Sequence, residues 1–167
     1  ADRDVSHVIP SPLERAQQTA TPLALAKGLD IVTDDRIIEA DNVFEGQRVS
    51  IGDGVLKQPK AWKHLYDPFK PSWGEPYKQI AARMRDAVFS ARESARGHEI
   101  LLVSHQLPVW TSRLDFEDRR LWHDPRHRQC NLASLTSLAF DGDDLKAIVY
   151  SEPASDLVAK AHKGAGA

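Results

Sequence analysis

One cysteine, one methionine and no apolar stretch of membrane-spanning length mark this chain of 167 residues. With Cys130 alone, an intrachain disulfide and a cysteine-built metal cage are both excluded, which fits a reducing cytoplasm. No signal-peptide pattern opens the sequence, and no membrane partner is expected. A basic excess is missing too: 22 Lys and Arg stand against 24 Asp and Glu, and a net charge of −2 argues against a nucleic-acid partner. Neither Ser11 nor Ser104 lies in a Gly-x-Ser-x-Gly elbow, so both read as turn and cap residues and not as nucleophiles.

What is present is an ordinary soluble composition, 41% hydrophobic and 28% charged, in a chain of one-domain length. The domain is expected over residues 1–153, with 154–167 as a flexible tail. Apolar runs predict strands at Ser6–Ser11, Leu29–Thr33 and Glu99–Ser104, the last at the centre of a sheet. Helical spacing predicts a first helix with Ser11 as N-cap and Gly28 as stop. Further helices are expected over Val55–Tyr66, Glu75–Ala95, Leu107–Leu114 and Glu117–Trp122. Leu132–Phe140 and Leu145–Tyr150 flank Asp141-Gly142-Asp143 and read as a hairpin. Strands interleaved with helices and closed by a hairpin point to an α/β sandwich.

Two segments carry the chemistry. In each, a strand-length apolar run ends at a small polar residue and helix-compatible sequence follows: His7 to Ala20, and Ile100 to Val109. An open α/β sheet gathers its ligand at the carboxyl ends of its strands, so Arg15 and His105 are expected to face one pocket. A guanidinium and an imidazole together suit an anion, most simply a phosphoryl group.

Ser11-Pro12-Leu13-Glu14-Arg15-Ala16 with Thr19-Ala20, followed far downstream by Leu101-Leu102-Val103-Ser104-His105, resembles the histidine phosphatase family, also called phosphoglycerate mutase-like. Pro71-Ser72-Trp73-Gly74-Glu75-Pro76 resembles that family's Gly-Glu entry into a long helix. The resemblance implies a three-layer α/β/α sandwich. It also implies Arg15 as a phosphate-binding arginine, His105 as the pocket histidine that stabilises the transferring group, and Glu39 as proton donor to the leaving oxygen, with Asp41 or Glu45 as substitutes. The family moves a phosphoryl group onto a histidine and then to water or another acceptor, with no metal or other cofactor.

Two departures shape the expectation. The family's nucleophile lies in an Arg-His-Gly motif closing a first strand, and neither is present here. Residues are therefore expected upstream of Ala1, since loss of a strand beside the one leading to His105 would bare an apolar edge. His7 lacks the flanking arginine and glycine and is not assigned the role. Gln106 stands where a glycine often follows the histidine, and would narrow the pocket or add a phosphate-binding donor.

A phosphatase acting on a small phosphorylated substrate is the expected function, with a phosphoglycerate mutase and a non-catalytic anion-binding domain as alternatives. Arg119, Arg120, Arg126 and Arg128 form a basic patch, read as a solvated helix end or as a rim selecting an acidic substrate. His123 and His127 have metal-pair spacing, but Pro125 intervenes and no third ligand is evident, so no metal is expected. Trp62, Tyr66, Phe69 and Trp73 are expected to pack, to cap the pocket or to form a homodimer patch.

Overall fold

The structure is a computed structural model that describes residues 3–40 and 74–158. Within it, strand β1 (Val5–Pro10) leads into helix α1 (Glu14–Lys27), and a 3-10 turn follows at Asp35–Ile37. Helix α2 (Tyr77–Ser94), strand β2 (Glu99–Val103) and helix α3 (Gln106–Phe116) come next. A second 3-10 turn (Pro125–His127), strands β3 (Leu135–Asp141) and β4 (Asp144–Ser151) and one helical turn, α4 (Ser155–Val158), complete the order. The expected helix at 55–66, the four aromatic residues between Trp62 and Trp73, and Asp41 and Glu45 lie outside the described residues.

Strands β1 and β2 pair in parallel, with Pro10 opposite Val103. Their side chains alternate between two faces, as strand geometry requires. Val8, Leu101 and Val103 meet Ala20 and Ala24 of α1 on one side. Ile9 and Leu102 meet Ile80, Met84 and Ala87 of α2 on the other. The result is the expected three-layer α/β/α arrangement. Among the described residues β2 pairs with β1 alone.

The small residues Ala16, Ala20 and Ala24 recur at helical spacing on the buried face of α1 and let the helix lie close to the sheet. Gly28 ends it in the left-handed conformation (φ 67°) that glycine adopts without steric cost. Strands β3 and β4 form the expected antiparallel hairpin, turning at Gly142. Phe89 of α2 packs its ring between those of Phe116 and Phe140, with centroids 6.0 and 5.9 Å away. Arg92 lies over Phe140 and holds the hairpin turn through Asp143 and the Gly142 carbonyl.

Three local expectations are corrected. The strand at Leu29–Thr33 shrinks to one bridge between Ile31 and Val8, because the Asp34 carboxylate accepts the Arg36 N–H and turns the chain into the 3-10 segment. The helix at Glu117–Trp122 does not form. Asp118 takes a left-handed backbone (φ 52°), and the Arg119 N–H closes on the Leu114 carbonyl at 2.8 Å, ending α3 instead. Leu13, not Ser11, is the N-cap of α1, because the Ser11 hydroxyl is taken by a partner far away in sequence.

Candidate functional site

The parallel pairing of β1 and β2 brings the two motifs together. Beyond Pro10 and Val103 the ladder adds one more bond, from the Ser11 N–H to the Val103 carbonyl at 2.8 Å, so both chains leave the sheet at the same edge. Ser104 then donates its hydroxyl to the Ile37 carbonyl at 2.7 Å, anchoring the segment that carries Glu39. Arg83 supports the same segment: its guanidinium forks onto Glu75, both contacts at 2.8 Å, and donates to the Arg36 carbonyl. These ties converge on His105, the second residue past β2 and the N-cap of α3.

The imidazole of His105 is buried, and both ring nitrogens are engaged. Arg15 Nε lies 3.3 Å from Nδ1. Because a guanidinium only donates, Nδ1 accepts, and the proton of the neutral ring is on Nε2, 2.7 Å from Ser11 Oγ. The Ser11 hydroxyl also accepts the Leu13 N–H at 3.3 Å. Glu39 faces the same ring, with a carboxylate oxygen 3.9 Å from Nδ1. Arg15, His105 and Glu39 therefore occupy one site, at the start of α3, where the helix dipole favours negative charge.

Burial, and then the nearby charges of Arg15 and Arg83, push the His105 pKa down to about 4. At neutral pH the ring is uncharged, and its contact with Glu39 is not an ion pair. Burial raises the Glu39 pKa, against the opposing pull of its bond to the Ala40 N–H and of Arg15, Arg128 and Arg83. The carboxyl thus keeps its proton to higher pH than an exposed glutamate does.

A neutral buried histidine links stability to pH. The unfolded chain takes up the His105 proton near pH 6.5 and the folded chain only near 4. Between those values the unfolded state binds more protons, so this contribution is complete above pH 6.5 and is lost as pH falls towards 4, about 3 kcal/mol in all. The raised Glu39 pKa acts oppositely and softens the loss. Melting curves at pH 7 and pH 4.5 are expected to show a larger drop in Tm for the parent than for His105→Gln. Parallel drops would rule out a neutral imidazole.

Gln106 is not aimed at this group. Its amide donates to the Cys130 carbonyl at 3.0 Å and accepts from Arg128 Nη1 at 3.4 Å. Of the basic patch, Arg119 pairs with Glu117 and Arg126 with Asp124, Arg120 is exposed, and Arg128 bonds to His123 and Gln106. His123 donates from Nδ1 to the Leu121 carbonyl and accepts from Arg128 at Nε2, so neither nitrogen is free for a metal. Among the described residues no group of three or more potential ligands gathers for a metal ion. His7 is exposed in mid-strand against Ser6, away from the site. Reading Ser11 only as a cap missed its bond to His105. Nothing in local spacing signals a partner 94 residues away.

The fold is that of an α/β protein with this arginine–histidine–glutamate cluster at its strand ends. The chain belongs to the histidine phosphatase superfamily, branch 1, whose family profile matches residues 1–152. It is 57% identical over 155 residues to Rv0525, an uncharacterized protein of Mycobacterium tuberculosis, spanning 93% of this chain and 77% of that one. It is 30% identical over 149 residues to a Salmonella paratyphi B protein named probable phosphoglycerate mutase GpmB, spanning 78% of this chain and 63% of the other. Among solved structures, Bacillus stearothermophilus YhfR matches with a TM-score of 0.66 at 23% identity, covering 86% of this chain and 72% of that one. The mycobacterial glucosyl-3-phosphoglycerate phosphatase Rv2419c, solved with VO3, matches with a TM-score of 0.64 at 21% identity, covering 87% and 76%. At these identities the two solved structures share the fold. They support the phosphoglycerate mutase-like architecture and no more. Among the described residues no helix is long and apolar enough to cross a membrane.

Proposed function

We propose that this chain carries the phosphate-binding and proton-donating half of a phosphohydrolase acting on small phosphate monoesters. The observation that carries this reading is the contact between Arg15 and His105, at 3.3 Å, beside the half-buried Glu39. Phosphoryl transfer depends chiefly on positioning and on stabilising charge at the equatorial oxygens. Arg15 offers two terminal nitrogens for that purpose. Among the described residues it has no carboxylate partner to give up.

His105 is neutral without an anion, but a phosphate dianion at Nδ1 raises its pKa, so binding recruits a proton to the ring. Ser11 fixes the ring so that Nδ1 faces Arg15 and the incoming oxygens. Gln106 acts at one remove by holding Arg128. Glu39 gives its proton to the leaving alkoxide as the P–O bond breaks and a P–N bond to a histidine nucleophile forms. It then takes a proton from the water that attacks phosphorus, releasing phosphate and freeing the histidine.

The 167 residues contain no Arg-His-Gly motif, so this proposal assigns no nucleophile among them; the family's histidine would be supplied on a polypeptide extended upstream through such a segment. A polypeptide extended through such a segment is expected to release phosphate from small esters and to accumulate an acid-labile, base-stable phosphoprotein during turnover. The 167-residue chain is expected to do neither. No phosphoprotein and no phosphate from the extended protein would overturn the proposal. Product analysis with 3-phosphoglycerate separates hydrolysis from mutase transfer, since the first yields phosphate and the second an isomeric phosphoglycerate. Binding without turnover would identify an anion-binding domain. The lone cysteine and a small polar substrate suit a cytoplasmic protein.

A further inference from the structure

Twelve arginines lie among the described residues, and nine of them have a carboxylate within 4.0 Å. The three without one are Arg15, Arg120 and Arg128. Arg120 is exposed, where water solvates the charge. Arg15 is the phosphate ligand proposed above. Arg128 is half-buried, and a charge partly withdrawn from water without a counter-ion among the described residues calls for an explanation.

The guanidinium of Arg128 is held by neutral acceptors. Its Nε donates to His123 Nε2 at 2.8 Å and its Nη1 approaches Gln106 Oε1 at 3.4 Å. His123 is itself rigid: its Nδ1 donates to the Leu121 carbonyl at 2.7 Å, and its ring packs against Tyr77 and Trp110. Burial lowers the His123 pKa, which keeps that acceptor uncharged. Among the described residues Nη2 has no partner, so a positive charge is fixed in place with one outer nitrogen open and the other held only by the long contact to Gln106. Gln106 directly follows His105, which places this charge beside the phosphoryl site. Its field reaches Glu39, where it is one of three arginine charges that favour the ionised carboxylate.

We propose that Arg128 is a specificity-determining residue that binds a second anionic group on the substrate, making the site selective for phosphate esters of acids over those of neutral alcohols. The inference rests on the phosphoryl-site reading above and names its substrate class. Arginine suits the role because its remaining fork matches a carboxylate or phosphate with two parallel hydrogen bonds, while Nε stays with His123.

The test uses the polypeptide extended upstream, with three compounds of one chain length: 3-phosphoglycerate, glycerol 3-phosphate and 1,3-propanediol bisphosphate. Binding is measured by calorimetry and turnover by phosphate release. The parent is expected to bind and hydrolyse one or both acidic esters better than glycerol 3-phosphate. Arg128→Gln is expected to shrink that preference by roughly 10- to 100-fold, the worth of a hydrogen bond to a charged group, and Arg128→Lys is expected to restore part of it. Which acidic ester loses more tells carboxylate from second phosphate. A parent without preference, or an Arg128→Gln loss equal for all three compounds, overturns the proposal, the second outcome marking a structural role. If the preference and its loss appear in binding but no compound is hydrolysed, the selectivity stands and the phosphohydrolase reading falls. If the parent binds none of the three, both fall.

Discussion

Arg15→Ala is expected to slow phosphate release from the upstream-extended protein by about 10²–10³-fold, and His105→Ala by a similar factor. Both side chains act where charge grows on the transferring group, so the loss should fall mainly on kcat/KM with a clear share in kcat. The two residues touch through Nε and Nδ1 at 3.3 Å. Their effects are therefore coupled, and the double variant should lose less than the product of the single losses. Arg15→Lys should recover only part of the rate, since an ammonium is a point charge that cannot span two oxygens. Intact folding is checked by the melting temperature, to which a half-solvated arginine contributes little. Wild-type rates in both single variants would dismantle the site.

Glu39→Gln is expected to slow hydrolysis of alkyl phosphates by about 10²–10⁴-fold, the usual worth of a positioned general acid. The same variant should hydrolyse 4-nitrophenyl phosphate far less impaired, because that phenolate leaves without a proton. The contrast between the two substrates is the diagnostic, not either rate alone. Burial raises the Glu39 pKa, so the protonated acid persists to higher pH than for an exposed carboxyl. The alkyl phosphate rate should then fall as pH rises through that pKa, and this limb should vanish in Glu39→Gln. If Asp41 or Glu45 supplied the proton, Glu39→Gln would impair both substrates alike or neither.

Much of this site was legible along the chain because two hydrophobic runs end at named polar residues. The alternation that sends Val8 and Ile9 to opposite faces of the sheet, and the glycine that ends α1, are properties of consecutive residues. Arg15 and His105 could be paired in advance because parallel strands deliver their ends to one edge, whatever lies between them. Glu39 was placed by resemblance alone, and its loop is held by Ser104 and Arg83, contacts that no spacing rule anticipates. The two failed elements, at 29–33 and 117–122, were runs with suitable composition. Capping by Asp34 and a left-handed Asp118 redirected the chain there.

By itself the sequence determined the α/β layering, the two strand-end motifs and the residue types available for binding an anion. Only the tertiary structure decided the state of those residues. It buries His105 as a neutral ring, spends Ser11 on orienting it, turns Gln106 away, and leaves Arg128 charged but without a carboxylate partner among the described residues. The physical reason is range. Hydrophobic periodicity is encoded over a few neighbouring residues, whereas protonation and ion pairing depend on distances between groups as far as 94 residues apart, which exist only once the chain has folded.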